Sequence, residues 1–367
     1  MPDANKKDKK SALHVNKGIE QPSQINPLAA GKLKGLKKPD LNASDFLRGI
    51  LSGDRAIFSK AITLIESTLP KHQDIAQEII SLCLPHSGKS IRVGITGVPG
   101  VGKSTFIEAL GLHLTGSGHR IAVLAIDPSS QRSKGSILGD KTRMEDLANH
   151  PNAYIRPSSS GGSLGGVSRK TREAIIICEA AGFDVIFVET VGVGQSETAV
   201  HSMVDFFLLL MLSGAGDELQ GIKRGIMEMA DALVINKADG DNIQRAKLAK
   251  AEYENALHMF PPPASGWLPP VKTCSAQTKQ GISEVWNNIL DYMKLTKGNG
   301  YFLEKRQRQN IGIMYEALEA ELRELFYRNP EIKTLQKKLE TDILANKTSP
   351  YLAASLLINA FKKPSSF

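Results

Sequence analysis

The chain contains 367 residues, of which 41% are hydrophobic and 23% are charged, and its formal net charge is +8. This composition is typical of a soluble globular protein, and the length accommodates about two domains. The longest apolar run, from Phe206 to Leu212, is too short to cross a bilayer, so we expect no membrane-spanning helix and no membrane partner.

The positive charge is concentrated at the N-terminus. The first 40 residues contain nine lysines and four acidic residues, so the rest of the chain is nearly neutral. Because the excess charge lies in one segment that also bears proline and glycine, we predict a disordered basic tail over residues 1–40 and no nucleic-acid partner.

The sequence predicts a cytoplasmic protein. Its first residues lack the apolar stretch of a secretory signal, and they are richer in lysine and acids than a mitochondrial transit peptide. Cys83, Cys178 and Cys274 lie far apart, which suits a reducing compartment. The mitochondrial matrix is the alternative location for a eukaryotic source.

Residues 41–88 have the pattern of a helical extension. Apolar side chains recur at helical spacing in two stretches, Asp45–Ser67 and Lys71–Leu84, and Pro85–Lys89 predicts a turn. Residues 298–367 predict a second helical extension, with helices over Tyr301–Tyr327 and Ile332–Ala345. In the first of these, one apolar side is formed by Leu318, Leu322 and Leu325.

Between these extensions, over residues 89–297, short apolar runs alternate with helical stretches. The alternation predicts an α/β fold in which a mostly parallel sheet is flanked by helices and binds ligands at the carboxyl ends of its strands. The predicted strands are Ile91–Thr96, Ile121–Ile126, Val185–Glu189, Phe206–Met211, Leu233–Asn236 and Val271–Cys274. The predicted helices include Ser104–Leu114, Ser168–Ala181, Ile222–Met229 and Ile243–Ala256.

The stretch GVPGVGKST follows the first predicted strand and has the spacing of a P-loop, G-x-x-x-x-G-K-[ST]. Glycines let backbone amides turn towards phosphate oxygens, and the following helix adds partial positive charge. The lysine reaches the β- and γ-phosphates, and the first hydroxyl after it ligates Mg²⁺. The nine residues are Gly97, Val98, Pro99, Gly100, Val101, Gly102, Lys103, Ser104 and Thr105.

The base is indicated by a second motif, N-K-x-D, at the end of another apolar strand. It consists of Asn236, Lys237 and Asp239 around Ala238. The Asp239 carboxylate can accept two hydrogen bonds from N1–H and the amino group of guanine, a donor pair that adenine lacks. A third segment, Ser275-Ala276-Gln277, follows the next strand and can offer a backbone N–H to guanine O6. Three such segments in order predict bound GTP or GDP.

Acidic residues at strand ends predict the metal site. Glu189 ends a strand of four apolar residues, and Asp127 ends another, while Asp140 lies in a segment rich in Ser, Gly and Lys. Carboxylates and phosphate oxygens are the ligands that Mg²⁺ prefers. We therefore predict a Mg²⁺ site formed by Ser104, Asp127, Asp140 and Glu189. The predicted catalytic residues are Lys103, Asp127 and Glu189.

The loop after Glu189 has the character of a switch. Gly192 and Gly194 give the loop after Glu189 freedom to bind the γ-phosphate and release it after hydrolysis. The only glutamine there that could orient a water is Gln195, so we expect slow intrinsic hydrolysis that a partner accelerates.

Several long segments together resemble the MeaB/ArgK family, accessory GTPases of adenosylcobalamin-dependent acyl-CoA mutases, chiefly methylmalonyl-CoA mutase. The resemblance covers roughly residues 45–330. The segments are DPSS, GSILGDKTRM, RPSSSGGSLGGVSRKTRE, VETVGVGQSE, GAGDELQGIKRGIMEMAD and NKAD.

The resemblance implies a P-loop GTPase of the SIMIBI class that gates cofactor loading of the mutase and protects or reactivates it. It implies that Lys103 and Ser104 bind phosphate, and that Asp127, Asp140 and Glu189 belong to the Mg²⁺ network. It further implies that Gly214–Lys223 is a third switch that contacts the mutase, and that the chain dimerises through its C-terminal extension.

Three other functions stay open from the sequence. An ATPase or kinase linked to lysine, arginine and ornithine transport would bind ATP, which the N-K-x-D motif disfavours. A metal-insertion GTPase for nickel enzymes would need a Cys/His cluster, and the eight histidines are scattered. A non-catalytic scaffold would bind GTP without hydrolysing it.

Overall fold

A seven-stranded, fully parallel sheet organises the protein. The computed structural model describes residues 41–126, 144–157, 164–190, 196–214 and 224–362. The sheet order is β3-β2-β4-β1-β5-β6-β7, and all six neighbouring pairs are parallel. The strands are β1 Ile91–Gly97, β2 Ile121–Ile126, β3 Ala153–Arg156, β4 Val185–Thr190, β5 Phe206–Met211, β6 Ala232–Ile235 and β7 Val271–Thr273.

Helices precede, separate and follow these strands. The first three are α1 Ala43–Leu51, α2 Arg55–Glu66 and α3 Pro70–Cys83. Within the sheet region lie α4 Lys103–Gly116, α5 Glu145–Asn149, α6 Leu164–Ala180, α7 Ser196–His201, α8 Arg224–Met229, α9 Ile243–Leu257 and α10 Ile282–Gly298. The C-terminal helices are α11 Tyr301–Arg328, α12 Pro330–Leu344 and α13 Pro350–Lys362.

The strands form where apolar residues run without interruption. Every residue of β2, β4 and β5 is buried, as expected for parallel strands that are covered on both faces. Helices α4 and α10 pack on one face, where their side chains join Val93 and Ile95 of β1 in the main core. The intervening Gly94 points to the opposite face, where Val200 of α7 contacts it. The predicted α/β fold with a P-loop sheet is confirmed.

The structure contains elements that the sequence did not predict, and it divides one predicted helical stretch in two. Strand β3 was not predicted, because its four residues alternate between buried and half-buried positions and form no apolar run. The stretch Asp45–Ser67 is two helices, since Gly53 has a φ of 77° and Asp54 caps α2 by accepting hydrogen bonds from two backbone N–H groups. Helix α13 was also absent from the sequence prediction. Among the described residues, no helix is long and apolar enough to cross a membrane.

The described residues from Ala43 onward form one compact unit. The boundaries at residues 88 and 297 therefore stay predictions, and the predicted tail over 1–40 lies outside the described residues. The three cysteines are buried free thiols. Burial raises the pKa of Cys83 to about 11 and that of Cys274 to about 12.

A buried ionic network joins the amino-terminal ends of the central strands to the helices. Glu179, at the end of α6, accepts hydrogen bonds from Arg92 Nε at 2.9 Å, Ser90 Oγ at 2.6 Å and the Gly88 backbone at 2.6 Å. Burial alone would raise the pKa of Glu179, but the bonds and charge of Arg92, with those of Ser90 and Gly88, lower it. The carboxylate is thus held ionised inside the protein.

Replacing Glu179 with glutamine should lower the free energy of unfolding by about 2 kcal/mol at pH 7, since the half-buried Arg92 guanidinium loses its counter-charge. Because the pKa of Glu179 is lower in the folded state, its stabilisation is present above the unfolded pKa of about 4.3 and is lost as pH falls through the folded value. Urea denaturation of both proteins should therefore show a difference that shrinks below about pH 4. Glu78→Gln, an exposed change on α3, is the control, and an equal effect from it would contradict the prediction.

Candidate functional site

The P-loop lies between β1 and α4, at the centre of the sheet. Strand β1 lies between β4 and β5, so the connection from β4 to β5 passes from one side of β1 to the other. Open parallel sheets bind ligands at the carboxyl ends of the strands at such a point. A side chain at Gly97 would place its Cβ 2.3 Å from the Leu210 carbonyl oxygen, so only glycine fits. Gly102 has a φ of 89° just before α4 begins.

Lys103 begins α4 and is held over the loop. Its Nζ donates a hydrogen bond to the Gly97 carbonyl oxygen at 2.9 Å. Burial lowers the pKa of Lys103, and the negative charges of Glu189 and Glu197 oppose that shift. The ammonium group therefore lies beside two carboxylates at the amino end of a helix, where phosphate oxygens can replace the carbonyl as its acceptor.

Two predicted metal ligands lie in the described part of the site. Ser104 is half-buried in the first turn of α4, and Thr105 beside it is exposed. Glu189 is buried near the end of β4, paired in register with Ile95 of β1. A hydroxyl and a carboxylate are oxygen donors of the kind that fits Mg²⁺. Asp127 and Asp140 lie outside the described residues.

Asn236 connects the three predicted nucleotide-binding segments. Its Nδ2 donates to the Val101 carbonyl oxygen at 2.8 Å, and its Oδ1 accepts from the Ala276 N–H at 3.1 Å. The residue is 1% exposed. The side-chain amide thus joins β6 to the P-loop on one side and to the loop after β7 on the other.

Lys237 adopts a left-handed backbone conformation with a φ of 59°. Its exposed side chain extends over the P-loop, and its Nζ donates to the Gly100 carbonyl oxygen at 2.8 Å. A non-glycine residue in this conformation is uncommon and is often found at functional sites. Here it places the lysine side chain against the P-loop at Gly100.

Ser275 orients the carboxylate of Asp239. Its Oγ donates to Asp239 Oδ2 and accepts the Thr278 backbone N–H at 3.1 Å, and its own side chain is fully buried. One carboxylate oxygen is therefore fixed by the protein. Pro99 and Gln277 are exposed at the rim.

The structure brings the predicted segments together at the carboxyl edge of the sheet. The P-loop follows β1, Glu189 lies near the end of β4, Asn236 follows β6 and Ser275 lies two residues after β7. The predicted switches at Gly192, Gly194 and Gln195, and residues 215–223 of the predicted third switch, lie outside the described residues. Among those described, no three His, Cys, Asp or Glu side chains form a metal cluster.

Glu197 belongs to this site but was not singled out from the sequence. It lies in the first turn of α7, is 1% exposed and places its charge near Lys103. An acidic residue at a helix start usually interacts with the helix's own N–H groups, so its position in the sequence carried no distinctive signal. Burial is what distinguishes it, and burial depends on the packing of α7 over β1.

Comparison with known proteins assigns this architecture to a family. The sequence model described as "Methylmalonyl Co-A mutase-associated GTPase MeaB" matches residues 58–331. The chain belongs to the MeaB family. It is therefore a P-loop GTPase, and the predicted resemblance is confirmed.

Relatives and a solved structure match over most of this MeaB-family chain. A probable GTPase of Mycobacterium tuberculosis is 50% identical over 309 residues, covering 84% of this chain and 92% of that protein. The mitochondrial methylmalonic aciduria type A homolog of Mus musculus is 46% identical over 324 residues, covering 86% and 78%. A crystal structure described as an LAO/AO transport system kinase has a TM-score of 0.71 and 37% identity, covering 88% and 98%.

Asp239→Ala should reduce GTP affinity by about 10- to 100-fold, because two hydrogen bonds from guanine to a charged acceptor are lost. The affinity for ATP, which lacks that donor pair, should stay unchanged. Titration calorimetry with both nucleotides measures the preference. Asp241→Ala, an exposed change two residues away, is the control, and an unchanged preference in Asp239→Ala would disprove the assignment of this residue.

Proposed function

We propose that this MeaB-family GTPase assists an adenosylcobalamin-dependent acyl-CoA mutase, methylmalonyl-CoA mutase in particular. The observation that carries the proposal is the family match over residues 58–331, whose description names that association. The murine relative, named for methylmalonic aciduria, supports the same client. In this role GTP binding and hydrolysis would gate cofactor loading and protect or reactivate the mutase.

The proposed chemistry uses the P-loop and the carboxyl ends of β1 and β4. Backbone N–H groups of residues 97–105 would surround the phosphates, and Lys103 would exchange its bond with Gly97 for the β- and γ-phosphate oxygens. Ser104 and Glu189, with Asp127 and Asp140, would hold Mg²⁺. The bound metal supplies positive charge that neutralises the phosphate oxygens during hydrolysis.

The proposed guanine site uses the second half of the sheet. Asp239, oriented by Ser275, would accept the N1–H and amino protons of guanine, and Lys237 would cover the base plane. Asn236 would hold the surrounding loops, and the backbone of Ala276 or Gln277 would face guanine O6. GTP and GDP would therefore bind at the same site, and their contacts would differ only at the γ-phosphate.

A transport-linked ATPase or kinase is the second candidate, because this function also occurs among the names of similar proteins. The structure described as an LAO/AO transport system kinase, 37% identical to this chain, favours it. This function requires ATP as substrate and a phosphorylated partner. The bond between Ser275 and Asp239 favours guanine instead, because it leaves an acceptor where adenine has no donor pair.

We also propose that the protein is a homodimer formed through its C-terminal helices. On α11 the apolar side predicted from the sequence faces outward, with Leu318 51%, Leu322 52% and Leu325 54% exposed. Helix α13 also exposes a large hydrophobic side chain, since Tyr351 is 88% exposed. Contiguous apolar faces of this kind mark protein–protein contacts, and a second copy of the chain supplies a matching face.

Leu322→Glu should weaken self-association at least about 30-fold, the effect of losing a hot spot worth about 2 kcal/mol. Sedimentation velocity over a range of concentrations measures the dimer fraction. Leu248→Glu, a change of the same kind at an exposed position of α9, should leave the dimer intact. A wild-type chain that stays monomeric at high concentration would refute the proposed dimer.

The client is tested by GTP turnover. We expect slow hydrolysis by the isolated protein and a rise of at least tenfold with saturating methylmalonyl-CoA mutase, because a partner completes the charge distribution around the γ-phosphate. Phosphate release is measured with GTP and with ATP, with and without the mutase. A rate that the mutase does not change, or a preference for ATP, would argue for the transport-linked function.

A further inference from the structure

The turn after α7 is held by the long C-terminal helix α11. Lys305 donates to the Asp205 carbonyl oxygen at 2.7 Å, and Arg306 forms two 2.7 Å bonds to the Asp205 carboxylate. Gln309 donates to the Val204 carbonyl oxygen at 2.9 Å. Three residues on adjacent turns of α11 thus bind one short segment between α7 and β5.

A guanidinium group extends this contact further along α11. Arg172 on α6 is 8% exposed, and its Nη2 donates to Ser202 Oγ at 2.7 Å, directly after α7. Both Nη atoms also donate to the Glu316 carboxylate on α11. We call these three residues, Arg172, Ser202 and Glu316, the Arg172 junction.

Helix α7 packs on β1, the strand that leads into the P-loop. Glu197 in its first turn acts through its charge on Lys103, and Val200 packs directly over Gly94 of β1. Phosphates that draw Lys103 away from the loop would change the electrostatic balance of Glu197. Helix α7 therefore packs on the strand that precedes the P-loop, and Ser202 directly after it is joined to α11 through Arg172.

The Arg172 junction pairs a buried cation with an exposed anion. Glu316 is half-exposed, so water can replace its bonds at small cost, whereas Arg172 is buried and must keep acceptors. Its Nε has no hydrogen-bond partner among the described residues. A buried donor without a partner favours any second arrangement that supplies an acceptor, so two positions of α7 against α11 can be close in energy.

We propose that the Arg172 junction couples the nucleotide state of this GTPase to the C-terminal helix α11. A ligand shifts such an equilibrium only by its differential affinity for the two arrangements, and GTP and GDP differ at the γ-phosphate beside Lys103. The inference rests on the GTPase site and not on the mutase or on dimerisation. Arg172 acts here as a positioning residue, since it is placed between α7 and α11 and not in the phosphate site.

Hydrogen–deuterium exchange of residues 309–322 tests the proposal in the full-length chain. With Mg²⁺ and saturating nucleotide, wild-type exchange in this segment should differ at least about fivefold between GDP and a non-hydrolysable GTP analogue, the lower end of typical coupling. In Glu316→Gln and in Ser202→Ala the difference should fall below about twofold, while the calorimetric affinities for both nucleotides stay within about twofold of wild type.

Glu304→Gln is the matched control, because Glu304 forms only an exposed ion pair with Arg308 on the same helix, at 3.6 Å. It should keep the wild-type difference. Both test variants change exposed or half-buried side chains, so the test does not depend on substituting the buried arginine. Equal exchange of the wild-type segment in the two nucleotides, or a full difference in Glu316→Gln, overturns the proposal. Neither result would bear on the mutase as client, which turnover measures separately.

Discussion

The amide of Asn236 is the interaction on which the nucleotide site depends. Its nitrogen binds the P-loop at Val101 and its oxygen binds the loop of Ala276, so one buried side chain joins the P-loop to the loop after β7. An amide suits this position because it offers a donor and an acceptor, whereas a carboxylate would leave the Val101 carbonyl facing a second acceptor. The parallel sheet supplies the rest, since the ends of β1, β6 and β7 lie along one edge.

Much of this architecture could be predicted from the sequence, and the exceptions have physical reasons. The apolar runs of β2 and β5 gave their bounds, because strands that are buried on both faces contain few polar residues. The alternating β3 gave no such signal. The nucleotide-binding motifs were found by spacing, while the bond of Ser275 to Asp239 required two loops to meet in space. Glu197 and Arg172 were missed as functional residues because only their burial sets them apart.

Charged side chains fasten both α6 and α11 to the amino ends of the central strands. At the amino ends of the strands, Glu179 and Arg92 form a buried ionic network that fastens α6 to β1. At the same edge, Arg306 of α11 binds the Asp205 carboxylate just before β5 and also donates to the Ser90 carbonyl oxygen. The contacts of α6 and α11 thus form one connected network, in which the Arg92 backbone N–H also donates to the Asp205 carboxylate.

The left-handed backbone of Lys237 has a consequence for attempts to raise the thermal stability of the protein. At a φ of 59° a lysine costs about 1 kcal/mol more than asparagine or glycine, residues that tolerate this conformation. Asparagine there would relax the chain, yet it would remove the ammonium group from Gly100 and the aliphatic stem from the base opening. A search for heat-resistant forms of this enzyme would therefore favour changes at position 237 that make it a poorer binder of its nucleotide.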